Sequence, residues 1–168
     1  MKLVIRKLKK NESVKELLEY INELVKEDTY INLNKIQTYK EEKKWLKDII
    51  KSMKKGDIVV LVAEIEGKII GIVEARKGKG REQGNVSIGI SIRKNFRGKG
   101  FGKKLLNQII VTAKKKFKPK NIYLEVLAPN KVAISLYRKL GFKKIARLKS
   151  WSKYRNKYVD KILMVLTN

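Results

Sequence analysis

The segment Arg97-Gly98-Lys99-Gly100-Phe101-Gly102-Lys103 constrains the fold of this 168-residue chain more than any other stretch. Before it, Asn85 to Arg93 alternates Val86, Ile88, Ile90 and Ile92 with Ser87, Gly89 and Ser91, a strand with one greasy face and one very small one. After it, Leu105, Leu106, Ile109, Ile110 and Ala113 form the stripe of an amphipathic helix that must stop before Pro119. Between strand and helix, glycines without a Cβ let consecutive backbone N–H groups converge, and the helix start adds about half a positive charge. With Lys99, Lys103 and Lys104 around it, the loop reads as a phosphate cradle in which Arg97, Gly98, Lys99, Gly100, Phe101, Gly102 and Lys103 are candidate binding residues. The G-x-G-x-G spacing differs from the dinucleotide fingerprint, and no Ser or Thr follows Gly-Lys as a nucleoside-triphosphate loop requires. A glycine turn used only for chain reversal is the plainer alternative.

The rest of the chain supplies a sheet around this unit. Lys2 to Leu8 alternates as a first strand, and Val14, Leu17, Leu18, Ile21, Leu24 and Val25 mark a helix after Asn11. Trp45, Leu46, Ile49, Ile50 and Met53 mark a second helix that ends near Gly56. Asp57 to Glu66 and Lys68 to Lys77 form a hairpin about Glu66-Gly67-Lys68, and Gly78 to Gly84 is a loop. Ile122 to Leu127 is a strand; Pro129-Asn130 opens a short helix closed by Gly141; Phe142 to Ser150 and Tyr158 to Leu166 are the last two strands. The order predicts one α/β (α+β) domain over residues 1–168, a mixed, mostly antiparallel sheet of about seven strands flanked by about four helices.

The sequence has no cysteine and no histidine, which removes a thiolate nucleophile, an imidazole base, a disulfide and a Cys/His metal site. Chemistry falls to carboxylates, hydroxyls, lysines, backbone amides or a bound cofactor, with no metal expected. Apolar runs such as Ile58 to Ala63 are far below the roughly 18 residues of a spanning helix, so a cytoplasmic protein without a membrane partner is expected. The net charge of +26 is uneven: residues 1 to 82 carry 14 acids against 20 bases, and residues 83 to 168 carry 2 against 22. The C-terminal half is where an anion should sit. A generally Lys-rich proteome would also give this total, and nucleic acid is expected through non-specific charge alone. The run Lys114 to Lys120 either grips RNA or complements a helix C-terminus.

Arg97-x-x-Gly100-x-Gly102 after a strand resembles the acyl-CoA pyrophosphate loop of the GCN5-related N-acetyltransferases, and Asn130…Ala133…Leu136-Tyr137…Gly141-Phe142 resembles their second signature. The resemblance covers roughly residues 2 to 166 and implies acetyl-CoA as the acyl donor. It further implies that the fourth and fifth strands splay and that pantetheine pairs between them with the backbone of Ile90 and Ile92, near Ser91. Many family members carry a glutamate on the fourth strand, whereas Val86-Ser87-Ile88 has none. After Glu82 the acids are Glu125 and Asp160. Leu124-Glu125-Val126…Asn130…Tyr137 is similar in spacing to the ribosomal-protein-alanine branch, which implies Glu125 as the base and Tyr137 as the acid.

Each of these residues has a plainer alternative. Glu125 could be a strand carboxylate paired with a lysine, Tyr137 a core tyrosine, and Asn130 a helix N-cap in place of a cofactor contact. Asp160 either orients the acceptor or closes a turn. The expected reaction is direct transfer of acetyl to a primary amine in a ternary complex. A protein or peptide N-terminal α-amine is favoured, with a ribosome-associated substrate included. Alternatives are a small amine (amino acid, polyamine or aminoglycoside) and a non-catalytic basic RNA-binding module, and a monomer and a homodimer stay equally open.

Overall fold

The computed structural model describes residues 2–167. Seven strands form one sheet in the order β1-β2-β3-β4-β5-β7-β6: β1 Leu3–Lys7, β2 Ile58–Ile65, β3 Lys68–Lys77, β4 Asn85–Ile92, β5 Asn121–Leu127, β6 Lys143–Tyr154 and β7 Lys157–Thr167. Every neighbouring pair is antiparallel except β4–β5, which is parallel and joined by a helical crossover. The helices are α1 Val14–Lys26, α2 Tyr39–Lys55, α3 Phe101–Phe117 and α4 Lys131–Lys139. The element order and the mixed sheet agree with the sequence reading.

Each face of the sheet buries its own core. Leu105, Leu106, Ile109 and Ile110 of α3 pack with Val59, Leu61, Val73, Val86 and Ile88, and Tyr137 of α4 joins the same cluster. On the other face, Leu17, Tyr20 and Leu24 of α1 and Leu46 and Ile49 of α2 cover Ile58, Val60, Val62 and Ile69. The period-2 alternation of the strands sorts these two sets. Burying one Leu or Ile in such a layer contributes roughly 1.5–3 kcal/mol.

Two boundaries differ from expectation for local reasons. Helix α2 begins at Tyr39, six residues before its first large apolar marker, because Thr38 and Glu41 form a reciprocal capping box that fixes the first turn. The final strands run on to a tight turn at Arg155 and Asn156, both with positive φ (47° and 59°), beyond the strand ends at Ser150 and Tyr158 that the sequence suggests. The polar run Ser152-Lys153-Tyr154 holds its strand form by pairing with Lys157 to Val159. Among the described residues, no helix is long and apolar enough to cross a membrane.

Candidate active site

Strands β4 and β5 pair over Asn85–Ser87 and Asn121–Tyr123, and the ladder between them ends there. Beyond Ser87 they part. The Arg93 amide donates to the Ile70 carbonyl at 2.8 Å, so the alternation of the β3–β4 ladder turns the backbone groups of Ile88, Ile90 and Ile92 away from β3, toward the gap. One wall of the gap is therefore a strand edge able to pair with an extended amide-bearing ligand. It opens into a cavity of about 1150 Å³ lined in part by Ile90, Ser91, Ile92, Gly98, Gly100 and Gly102.

The glycine loop forms the other end of this cavity. Gly98 and Gly100 adopt positive φ (73° and 80°), and a Cβ at either would meet nothing within 4 Å. Gly100 is the N-cap of α3 and has no side chain to occupy the helix start. The first intrahelical bond runs from the Lys104 amide to the Gly100 carbonyl, so the amides of Phe101, Gly102 and Lys103 stand ahead of it as anion donors. Lys103 lines the cavity beside them. Lys99 and Phe101 do not contribute side chains to it: the Lys99 ammonium lies 5.7 Å over the Phe96 ring, and Phe101 packs on the same ring. Arg97 lines the cavity as a clamp, donating to the Ile92 carbonyl at 2.8 Å and to both oxygens of Glu27 at the end of α1.

The second signature closes the cavity from α4. Asn130 caps α4, its side chain accepting from the Ala133 amide at 3.2 Å, which is the plainer of its two readings, and it also lines the cavity. Tyr137 is 8% exposed, lines the cavity, and packs edge-on against Phe142. Burial pushes its phenol up to about 12, which keeps the O–H protonated across the neutral range. Glu125 lies on the α1/α2 face of β5, two residues beyond the last β4–β5 pair and outside the cavity lining, and its carboxylate is paired with the Lys161 ammonium at 2.7 Å. Asp160 lies outside the cavity lining. It binds Arg147 and the Ser150 amide, which hold its carboxyl below the usual range and secure a bulge in β6.

Several residues were not legible in the sequence. The buried Tyr20 hydroxyl accepts from the Ile72 amide at 3.1 Å and contacts the Ser91 carbonyl and hydroxyl, bridging α1, β3 and β4 beside the gap. Arg93, 3% exposed, ties the end of β4 to Glu16 and Glu23 of α1. Tyr30 and Tyr154 stack with centroids 4.8 Å apart, and Arg155 pairs with Asp28, joining the α1–α2 segment to the β6–β7 turn at the cavity. Glu74 on β3 stands opposite Gly89, on the same face as Glu125. Among the described residues, no cluster of three acidic side chains is grouped to hold a metal.

A strand-edge slot ending in an amide cradle suits an acyl-CoA, and residues 18–142 match the model of the acetyltransferase (GNAT) family. The chain belongs to the GNAT acetyltransferase family. An N-alpha-acetyltransferase of Sulfurisphaera tokodaii is 29% identical over 61% of this chain and 66% of its own length. The chain thus matches just under two thirds of that relative. The ribosomal-protein-alanine N-acetyltransferase of Brucella melitensis shares the fold with a TM-score of 0.85 at 23% identity, covering 98% of this chain and 99% of that one. An acetyltransferase of Salmonella typhimurium, solved with its cofactor acetyl-CoA, superposes with a TM-score of 0.84 at 20% identity over 99% and 94% of the two chains. GNAT enzymes use acetyl-CoA, and the residues here that fit it are the edge of β4, the Gly98 to Gly102 loop, Lys103 and Asn130.

Proposed function

We propose that this GNAT acetyltransferase acetylates the α-amine of protein or peptide N-termini. The observation that carries the reading is the charge state of the cavity. Its acidic lining residues, Glu27 and Asp28, are both neutralised by arginines, Arg97 and Arg155. A polyamine carrying several positive charges therefore finds no open cluster of acids there, on a chain whose net charge is +26. An α-amine with pKa about 8 is about one-tenth neutral at pH 7, whereas a lysine at about 10.4 is almost wholly charged. The relationship to N-alpha-acetyltransferases supports the same choice.

Bound acetyl-CoA supplies the activated acetyl group. The β4 edge would align the donor, and the Ile90 N–H, which faces the gap, is the group available to stabilise negative charge developing on a thioester oxygen. Tyr137, protonated throughout the working range, serves as the acid for the departing sulfur. The clasp of Tyr30 on Tyr154 borders the acceptor's path. The test is release of free thiol from acetyl-CoA with a panel of unblocked peptides, N-terminally blocked lysine peptides, spermine and an aminoglycoside. Turnover with the unblocked peptides above all others is expected; preferential turnover of spermine or the aminoglycoside would overturn the assignment.

A further inference from the structure

We infer that Glu74 is the general base that takes the proton of the acceptor amine, an inference resting on the acetyltransferase reading above. Glu74 pairs in register with Gly89, two residues past the last β4–β5 pair, and its Cγ lies 3.7 Å from where a Gly89 Cβ would stand. Its side chain therefore lies over Gly89 on the α1/α2 face, beside the gap and bordering the residues Ile90 to Ile92 that line the cavity, without itself being among the lining residues. The small face Ser87, Gly89, Ser91 leaves open the space above Gly89, so the position lacking a glutamate on β4 is served from the neighbouring strand. Glu125 stands across the gap on the same face, but one of its oxygens is occupied by Lys161, whose side chain is 14% exposed.

The surroundings of Glu74 raise its affinity for a proton. Val60 is its neighbour on β2, Gly89 on β4, and Tyr20 of α1 lies two residue pairs away, on the same face, at Ile72 and Ser91. The charged groups nearby are Arg76 on its own strand, 3.9 Å away, and the Glu125–Lys161 pair across the gap. Burial pushes the Glu74 carboxyl above its ordinary value and Arg76 opposes this in part. As the amine nitrogen bonds to the acetyl carbon, Glu74 accepts the amine's proton. The carbon–sulfur bond breaks and Tyr137 protonates the sulfur. Glu74 then passes its proton to solvent and Tyr137 recovers one, so the cycle balances.

The experiment compares wild type, Glu74→Gln and Glu125→Gln on the best acceptor found, from pH 6 to 9.5, with two further readouts that need no turnover. For Glu74→Gln, kcat at pH 7 should fall about 10²-fold, recover as rising pH neutralises the amine, and leave acetyl-CoA affinity unchanged. Glu125→Gln should keep most of its kcat. In protein carrying ¹³C-labelled glutamate, the carboxyl signal that Glu74→Gln deletes should titrate above the ordinary carboxylate range and move when free CoA and acceptor peptide are added together. Equal loss at every pH, an unmoved signal, or loss in Glu125→Gln with retention in Glu74→Gln would each overturn the inference. Should the wild type prefer a small amine, the α-amine reading fails while the same comparison on that amine still judges Glu74.

Discussion

At the residue scale, side chains are defined by what they pair with, and pairing depends on register as well as on spacing. The face on which Glu125 lies follows from alternation alone, and the structure keeps it there. Its engagement with Lys161 does not, because it depends on how β5 and β7 are aligned. Glu74 was invisible for the same reason: the sequence offers a glutamate in a β-rich run and no sign that Gly89 lies opposite. Tyr137→Phe removes the hydroxyl proposed as the acid while keeping the ring against Phe142, so kcat should fall about 10²-fold with little change in stability, measured by steady-state kinetics and thermal denaturation. Glu42 on α2, 6% exposed, has its carboxyl raised by burial from 4.5 to about 7. The folded state therefore favours the neutral form. This contribution to stability is fully present below about pH 4.5 and is lost as pH rises through about 7. Glu42→Gln should raise Tm relative to wild type at pH 8, with the advantage vanishing below pH 5.

At the element scale, the β4–loop–α3 unit was readable because each part carries its own signal: alternation, glycines, then a 3.6-residue stripe. The splaying of β4 from β5 was implied by family resemblance and not by residue pattern, since both segments read simply as strands. The length of the β6–β7 hairpin was missed because its far end is polar and its turn uses Arg155 and Asn156 in place of glycine. Gly100→Val would force a β-branched residue into a φ of 80° at the mouth of the amide cradle. Acetyl-CoA affinity should fall at least tenfold by calorimetry while the far-UV circular dichroism stays as in wild type. The clasp at the other side of the cavity gives the complementary result. Tyr154→Ala removes the stack on Tyr30 and a bond to the Asp28 carbonyl, and should raise the acceptor KM while leaving acetyl-CoA affinity unchanged.

At the scale of the whole molecule, the positive charge of the second half of the chain reaches the cavity through Arg97, Lys103, Lys131, Lys139 and Arg155, whereas the acids of α1 are largely consumed in arginine pairs that lock this helix to β4 and the loop. Glu16 and Glu23 hold Arg93, and Glu27 holds Arg97. The result is a cavity whose lining carries Lys103, Lys131 and Lys139 and whose acids, Glu27 and Asp28, are each paired with an arginine. The proposed preference for an α-amine follows from ionisation, which alone gives it about a 10²-fold advantage over a lysine at pH 7. The most direct measurement is mass-spectrometric mapping of acetylation on one peptide that carries a free N-terminus and an internal lysine, with acetyl-CoA at pH 7. Acetyl is expected on the α-amine, with the lysine unmodified until the N-terminus is consumed. Acetylation of the lysine first, or a peptide left unmodified while spermine is acetylated, would contradict α-amine selection.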